Sequence, residues 1–456
     1  MATGHSQRQS CPNRLRAALP CAAALVVSSA PGQHGGRCCC IKAMITTLLR
    51  QPRRLNLLCC LLAALWLALL ASVLTYDVDD FKQLRRGAVD LIEQGNPYAN
   101  RELLVETSKP GQSDDGNEQG FKYTPVFAYL FRPFGMVSHA LGQRIWFGVN
   151  LLALAGLIAA CLQLAPAQLA RRYWGVLALL VALAPPTRLS LQLGQTSIVM
   201  ALLLVAAYLF WNTRSALSGI FLALATIVKL YPGLMGVYAL VRGPRRVAWW
   251  AVAAGLLLLA IFLPFYGIDH YRIFASTVIT SSNHPYGAEF NLSFHGFWTR
   301  LLVANPYSRP LFDAPLLARA LTIVCSGGLL ALCADAVRRV DDERKRLPEY
   351  CLWLCAMLLL SPINGSYNSV LLLLPGLVLL RYVEQTRDRS IRAWLVLGSA
   401  LAVWPAGWTD GMPLLYNGLH IGLGVLLLTP GIYGIVIYCG VLYAVIRRPW
   451  PAAPAA

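Results

Sequence analysis

Asp77, Asp79 and Asp80 stand directly behind an apolar span, and the polar stretch they open runs on through Gly95-Asn96-Pro97-Tyr98 to Tyr123-Thr124-Pro125. A carboxylate held at such a boundary can take the proton from an attacking hydroxyl, and cations farther along can steady a departing anion. The sequence supplies both. Asp80 is the candidate base, with Asp77 and Asp79 as supporting acids, and Lys229 and Arg188 are candidates to bind an anionic leaving group such as a phosphate. The plainer reading of the three acids is a helix start, where carboxylates suit unpaired amides, and both readings stand at this point. Asp77-x-Asp79 also looks like a divalent-ion pair, but no nearby ligands complete it, and the site is read with no metal and no cofactor.

The elements that must position these groups follow from hydropathy. Residues 55 to 75 are apolar except for Asn56, Ser72 and Thr75, so the first carboxylates sit where that span leaves the hydrocarbon. Phe81, Leu84, Ala88, Leu91 and Ile92 then recur with a helical period, and Lys82, Arg85, Arg86, Asp90 and Glu93 fill the other face. This pattern predicts an interfacial amphipathic helix, closed by Gly95 and Pro97. Lys229 is the single charge between Ser215 and Val241; an ionisable group there marks a functional site unless it snorkels or pairs structurally. Between Tyr266 and Arg300 the chain holds His270, His284, Glu289 and His295 among aromatics, a composition suited to stacking on sugars and hydrogen-bonding them.

Of the 456 residues 57% are hydrophobic and 13% charged, about half the charged share of an average soluble domain. The chain reads as an all-α, polytopic membrane protein. Its net charge of +18 comes from arginine clusters between apolar spans, which act as orientation signals and not as a nucleic-acid surface. Most of the cysteines fall inside apolar spans and behave as small hydrophobes, without metal-ligand spacing. Candidate spans at 124–138, 144–164, 174–190, 196–211, 215–241, 247–265, 315–335, 349–361, 366–383, 392–408 and 421–446, added to the first, give about twelve crossings. Arg50, Arg53 and Arg54 hold the amino terminus in the cytoplasm, which puts the loops near 76–123 and 266–300 outside. The first of these fits: from Asp77 to Lys122 there are ten acids against six bases. If every span crosses once, however, Arg171, Arg172 and Arg214 also fall outside, so one short segment is expected to be re-entrant.

Several short pieces, taken together, resemble glycosyltransferase family eighty-seven, the polyprenol-phosphate-mannose-dependent mannosyltransferases of the C-type glycosyltransferase fold. The pieces are Asp80-Phe81, Gly95 to Tyr98, Tyr123-x-Pro125, Trp146 with Asn150, Gly194-Gln195, Lys229-x-Tyr231-Pro232, Asn291-x-Ser293-x-x-Gly296-x-x-x-Arg300 and Ser361-Pro362. The resemblance implies that Asp80 is the base on an extracytoplasmic catalytic face, and that the donor is a polyprenol-phosphate sugar, with mannose as the hexose. It offers Tyr98, Tyr123, Gln195, Tyr231, Asn291, His295 and Arg300 as substrate contacts. Two departures stand out: Ser197 occupies the place of an expected Asn, and Asn364 to Asn368 replaces an expected Trp and His region, leaving Tyr367 and Asn368 to hydrogen-bond the sugar.

The function expected is inverting transfer of a hexose to a lipid-linked or glycan acceptor at a bacterial plasma or inner membrane, with membrane lipids as further partners and no nucleic acid. A transporter or flippase of lipid-linked sugars, and an oligosaccharide polymerase, share the topology; no internal repeat supports a transporter. Residues 1–43 have no acids and no periodicity and read as a disordered or mis-annotated extension, with 44–456 as a single membrane domain. A chain beginning at Met44 is therefore expected to insert and to keep its activity; loss of both at normal expression levels would refute the expectation.

Overall fold

The computed structural model describes residues 51–73, 79–100, 120–279, 286–340, 342–405, 408 and 418–449. The expected extension 1–43, Asp77 and His284 lie outside them. The all-α class holds, and among the described residues β pairing is limited to isolated bridges. In chain order the longer helices are α1 (Pro52–Val73), α2 (Asp79–Gln94), α3 (Pro125–Gly135), α4 (His139–Leu164), α5 (Trp174–Leu183), α6 (Pro185–Gln192), α7 (Ser197–Leu209) and α8 (Ser215–Val228). There follow α9 (Gly233–Val241), α10 (Arg245–Tyr266), α11 (Phe294–Leu302), α12 (Pro315–Arg339), α13 (Arg346–Leu360), α14 (Leu373–Thr386), α15 (Arg389–Ala402) and α16 (Pro430–Arg447).

Among the described residues six helical segments are long and apolar enough to cross a membrane: Pro52–Ser72, His139–Leu164, Arg245–Phe265, Pro315–Arg339, Ser366–Thr386 and Pro430–Arg447. The pair α5 and α6, bent by 58° where Pro185 and Pro186 open the second helix, adds a seventh if it is one span. Leu57, Leu61, Leu65 and Leu69 on α1, Leu256 and Leu257 on α10, and Ile323 and Val324 on α12 are all exposed. Aliphatic stripes of that length belong in lipid. The protein is an integral membrane protein.

Of the twelve expected spans, 124–138, 196–211, 215–241, 349–361 and 392–408 hold no helix of that length among the described residues, and two of these take a different form. The stretch 215–241 divides at Lys229, which leaves the helix in an extended conformation (φ −145°, ψ 139°), three residues before Pro232. The stretch 124–138 forms only the 11-residue α3, about 17 Å long against a hydrocarbon core of about 30 Å, and it packs along α2. The amphipathic reading of α2 is met in detail: Phe81, Leu84, Ala88 and Leu91 are buried against Phe127, Ala128, Phe131 and Trp146, while Ile92, at the edge of the stripe, is exposed. Full burial of Phe81 or Leu84 contributes about 1.5–3 kcal/mol each. On the polar side Asp90 accepts from Arg86 (3.1 Å) and Asn100 (2.8 Å). Burial pushes the Asp90 carboxyl above its ordinary range, and these two partners pull it back.

With α3 lying along α2, Arg172, Arg242 and Arg448 each fall where helix ends meet. Asn56 donates to the Arg172 carbonyl (3.0 Å) and Trp66 to the Ala182 carbonyl (3.2 Å), so α1 and α5 run parallel from a shared end. Glu384 accepts from the amides of Gln168 and Leu169, and Arg448 pairs with Asp388. Arg242 pairs with Glu349 at 3.2 Å and donates to the Val340 carbonyl, beside Arg338 and Arg339. Trp211, three residues before Arg214, packs on Tyr238 and Tyr350.

Candidate active site

A latch between segments far apart in sequence brings the start of α2 to the turn that precedes α7. The Phe81 amide donates to the Leu193 carbonyl (3.0 Å), and Trp146 Nε1 donates to the Gly194 carbonyl (2.7 Å). Gly194 is left-handed (φ +64°), and a Cβ there would lie 2.7 Å from the Phe81 Cβ. One turn therefore sets Asp80 on one side and Gln195 on the other. Gly194→Ala combines a strained φ with a clash against α2 and is expected to cut transfer at least tenfold while leaving membrane insertion intact, as measured on the purified variant. Activity within twofold of the parent would show that the latch is not required.

Lys229 reaches the same place from α8. Its ammonium lies 3.3 Å from Asn368 Oδ1, 3.5 Å from Gln195 Oε1 and 4.9 Å from the centre of the Tyr367 ring. The break at Lys229 frees this geometry, because a residue still in helical register could not turn its side chain across the end of α8. Thr124 holds the third wall: its hydroxyl donates to the Ile227 carbonyl (2.8 Å) and accepts from the Phe127 amide, so Tyr123 is carried in beside Lys229. The Asp80 carboxylate is close enough for its charge to act on Lys229, Tyr123 and Tyr367 alike. Tyr231 lies beside Tyr123, and its buried hydroxyl has no hydrogen-bond partner among the described residues. A buried donor of that kind needs an acceptor to be satisfied, and a substrate oxygen would serve.

Behind this layer stands a frame of amides. Asn368 Oδ1 accepts from both Ser197 (2.6 Å) and Lys229, and Asn368 Nδ2 donates to Asn364 Oδ1 (3.1 Å). Ser197, where the family resemblance leads one to expect Asn, thus orients Asn368. The Asn364 amide donates to Asn291 Oδ1 (2.9 Å), and Asn291 Nδ2 donates to the carbonyls of Pro362 and Tyr286. Gly296 is needed here because a Cβ would lie 2.5 Å from the Asn291 side chain. The spacing of Asn291, Ser293 and Gly296 is therefore that of a folded corner, in which Ser293 caps α11.

Of the residues expected from sequence, Asp80, Tyr123, Gln195, Lys229, Tyr231, Tyr367 and Asn368 come together in one cluster. Asn291 stands behind them and His295 lies half-buried in the first turn of α11. Tyr98 is buried and donates to the Tyr123 carbonyl (2.7 Å), a bracing role. Arg300 is 1% exposed and is occupied by the carbonyls of Ala288 and Asn291 and by the Thr429 hydroxyl. Arg188 is exposed and pairs with Gln192 one turn on. Asp79 opens α2, its side chain outside the described residues, as is all of Asp77. Among the described residues no three His, Cys, Asp or Glu side chains are grouped to hold a metal ion. The Asn291–Asn364 joint carries no local signal in the sequence, and the Gly-Gln pair is the one signal that points to the latch at Leu193–Gly194.

Residues 121–362, just over half of the chain, match the sequence model of glycosyltransferase family 87. The chain belongs to that family. Proteins similar to this chain include the polyprenol-phosphate-mannose-dependent alpha-(1-2)-phosphatidylinositol pentamannoside mannosyltransferase of Mycolicibacterium smegmatis, 28% identical over 311 residues that cover 64% of this chain and 71% of that protein. The protein of the same description from Mycobacterium tuberculosis is 27% identical over 312 residues, covering 64% of this chain and 68% of its own length. The family match holds Tyr123, Gln195, Lys229, Tyr231 and Asn291; the fold adds Asp80 from before it and Tyr367 and Asn368 from beyond it. The chain is a membrane glycosyltransferase that transfers a hexosyl unit.

Proposed function

We propose that this glycosyltransferase moves mannose from a polyprenol-phosphate donor to a hydroxyl of a lipid-linked or glycan acceptor, on the outer face of a cell membrane and with inversion at the anomeric carbon. The observation that carries this reading is the latch that brings the start of α2, and Asp80 with it, to the turn whose Gln195 meets Lys229. In the reaction the acceptor O–H loses its proton to the Asp80 carboxylate while its oxygen forms a bond to the sugar C1. The bond from C1 to the phosphate oxygen breaks, and the lipid phosphate leaves with the electron pair beside the Lys229 ammonium. Attack from the face opposite the leaving group inverts the centre. Tyr123, Tyr231 and Tyr367 offer hydroxyls and ring faces to the sugar. The two mannosyltransferase relatives support the donor class and the hexose.

The helix ends that carry Arg172, Arg242 and Arg448 belong in the cytoplasm by the positive-inside rule, which puts Asp80 outside. Counted that way α1, α4, the α5–α6 pair, α7, α8, α9, α10, α12, α13, the segment ending in α14, α15 and α16 make about twelve crossings. This count returns Arg171, Arg172 and Arg214 to the cytoplasmic side. The helices α7, α8 and α9, of 13, 14 and 9 residues, are too short for full spans and all reach the site, so it is recessed below the outer boundary, where a lipid phosphate can slide in from the bilayer. The test is to incubate the purified protein with a panel of polyprenol-phosphate sugars and an acceptor membrane extract, scoring free lipid phosphate. Turnover greatest with mannose is expected; preference for another hexose would remove the mannose assignment.

A further inference from the structure

A second polar and aromatic cluster stands beyond Asn291, built from three separate segments. Tyr286 packs edge-on against Phe290 (5.6 Å, 65°) and against Tyr307 (5.4 Å, 73°), and all three rings are half-buried. The fit of Tyr286 beside the next segment needs Gly287, since a Cβ there would lie 2.6 Å from Asn305 Oδ1. Asn305 Oδ1 in turn accepts from the amides of Tyr307 and Ser308, which fixes the direction of Tyr307. The third segment joins through a short backbone pairing: the Arg309 amide donates to the His420 carbonyl (2.8 Å) and the Gly422 amide to the Arg309 carbonyl (3.0 Å). That pairing sets His420 Nε2 3.8 Å from the Glu289 carboxylate, with the two side chains 12% and 21% exposed.

This combination has the chemistry of a saccharide seat. Ring faces meet the C–H face of a sugar, and a partly screened carboxylate and imidazole accept and donate to its hydroxyls. It is also tied rigidly to the catalytic layer. Tyr286 O accepts from Asn291, Asn291 accepts from Asn364, Asn364 accepts from Asn368, and Asn368 accepts from Lys229. A ligand on the rings is thereby held in fixed relation to the groups that act on the donor. We propose that Tyr286, Phe290 and Tyr307, together with Glu289 and His420, form the seat for a sugar ring of the acceptor, a proposal that rests on the transfer reaction described above.

The test uses the full chain in detergent and mannotriose as the probe, with binding followed by titration calorimetry. The parent is expected to bind it, Tyr307→Leu to bind about tenfold more weakly, Tyr307→Phe to bind like the parent, and Glu289→Gln to lose about tenfold. Absence of binding by the parent, or equal binding by all four proteins, overturns the proposal. Transfer to octyl mannoside from polyprenol-phosphate mannose gives a second readout: Tyr307→Leu should raise the acceptor KM and leave the donor KM within twofold. A rise in donor KM alone would assign the cluster to the donor and overturn the proposal. If the parent transfers no sugar the reaction assignment fails, and the calorimetric result still decides whether the cluster holds a saccharide.

Discussion

Asp80→Asn is expected to lower sugar transfer about a hundred- to ten-thousand-fold at saturating donor, the range over which a positioned general base acts. The amide keeps the shape of the carboxylate and cannot take the acceptor proton. Insertion and donor binding should stay near those of the parent, because α2 is held by the buried Phe81, Leu84, Ala88 and Leu91 and by the backbone latch to Leu193, none of which needs the Asp80 charge. Asp77→Asn serves as the comparison and should be the milder change. Equal turnover by Asp80→Asn and the parent would return the aspartate to capping the helix.

Lys229→Met is expected to lower kcat/KM about ten- to a hundredfold, chiefly through weaker donor binding, since a charged hydrogen-bonding contact is worth about 1.5–3 kcal/mol. The ammonium sits among Gln195, Asn368 and the Tyr367 ring, near Asp80, so the variant removes a cation from the place where the leaving phosphate gathers charge. Methionine fits the same volume and is the cheaper side chain beside an apolar span. A purified variant with unchanged donor affinity in its folded fraction, and reduced yield, would make Lys229 a structural cation instead.

How far these sites were legible in the sequence depends on range. The face of α2 follows from a local period, and Phe81, Leu84, Ala88 and Leu91 are buried as that period requires; a helix needs no distant partner to display its pattern. Lys229 was visible because a lone charge in a long apolar stretch has to be accounted for. The short form of 124–138 was not legible, because hydropathy cannot separate a short helix lying along α2 from one that crosses. Nor could it show which polar residues face substrate and which face one another. Arg300 falls inside a matched motif, yet its guanidinium is used to tie the Ala288 and Asn291 carbonyls to Thr429. Asn368 is expected from sequence to contact the sugar, and the structure gives it the further task of holding Lys229, with its oxygen shared between Ser197 and Lys229 and its nitrogen on Asn364. Such pairings join residues far apart in the chain, and a single sequence carries no record of them.

The measurement closest to the central claim is the stoichiometry of the reaction in purified protein supplied with polyprenol-phosphate mannose and acceptor. One free polyprenol phosphate should appear for each mannose joined to acceptor, the new bond should have the anomeric configuration opposite to the donor's, and Asp80→Asn should suppress product and lipid phosphate together. Movement of intact polyprenol-phosphate mannose between leaflets of a proteoliposome, with no lipid phosphate released in the presence of acceptor, would contradict the account and make the chain a carrier of lipid-linked sugar.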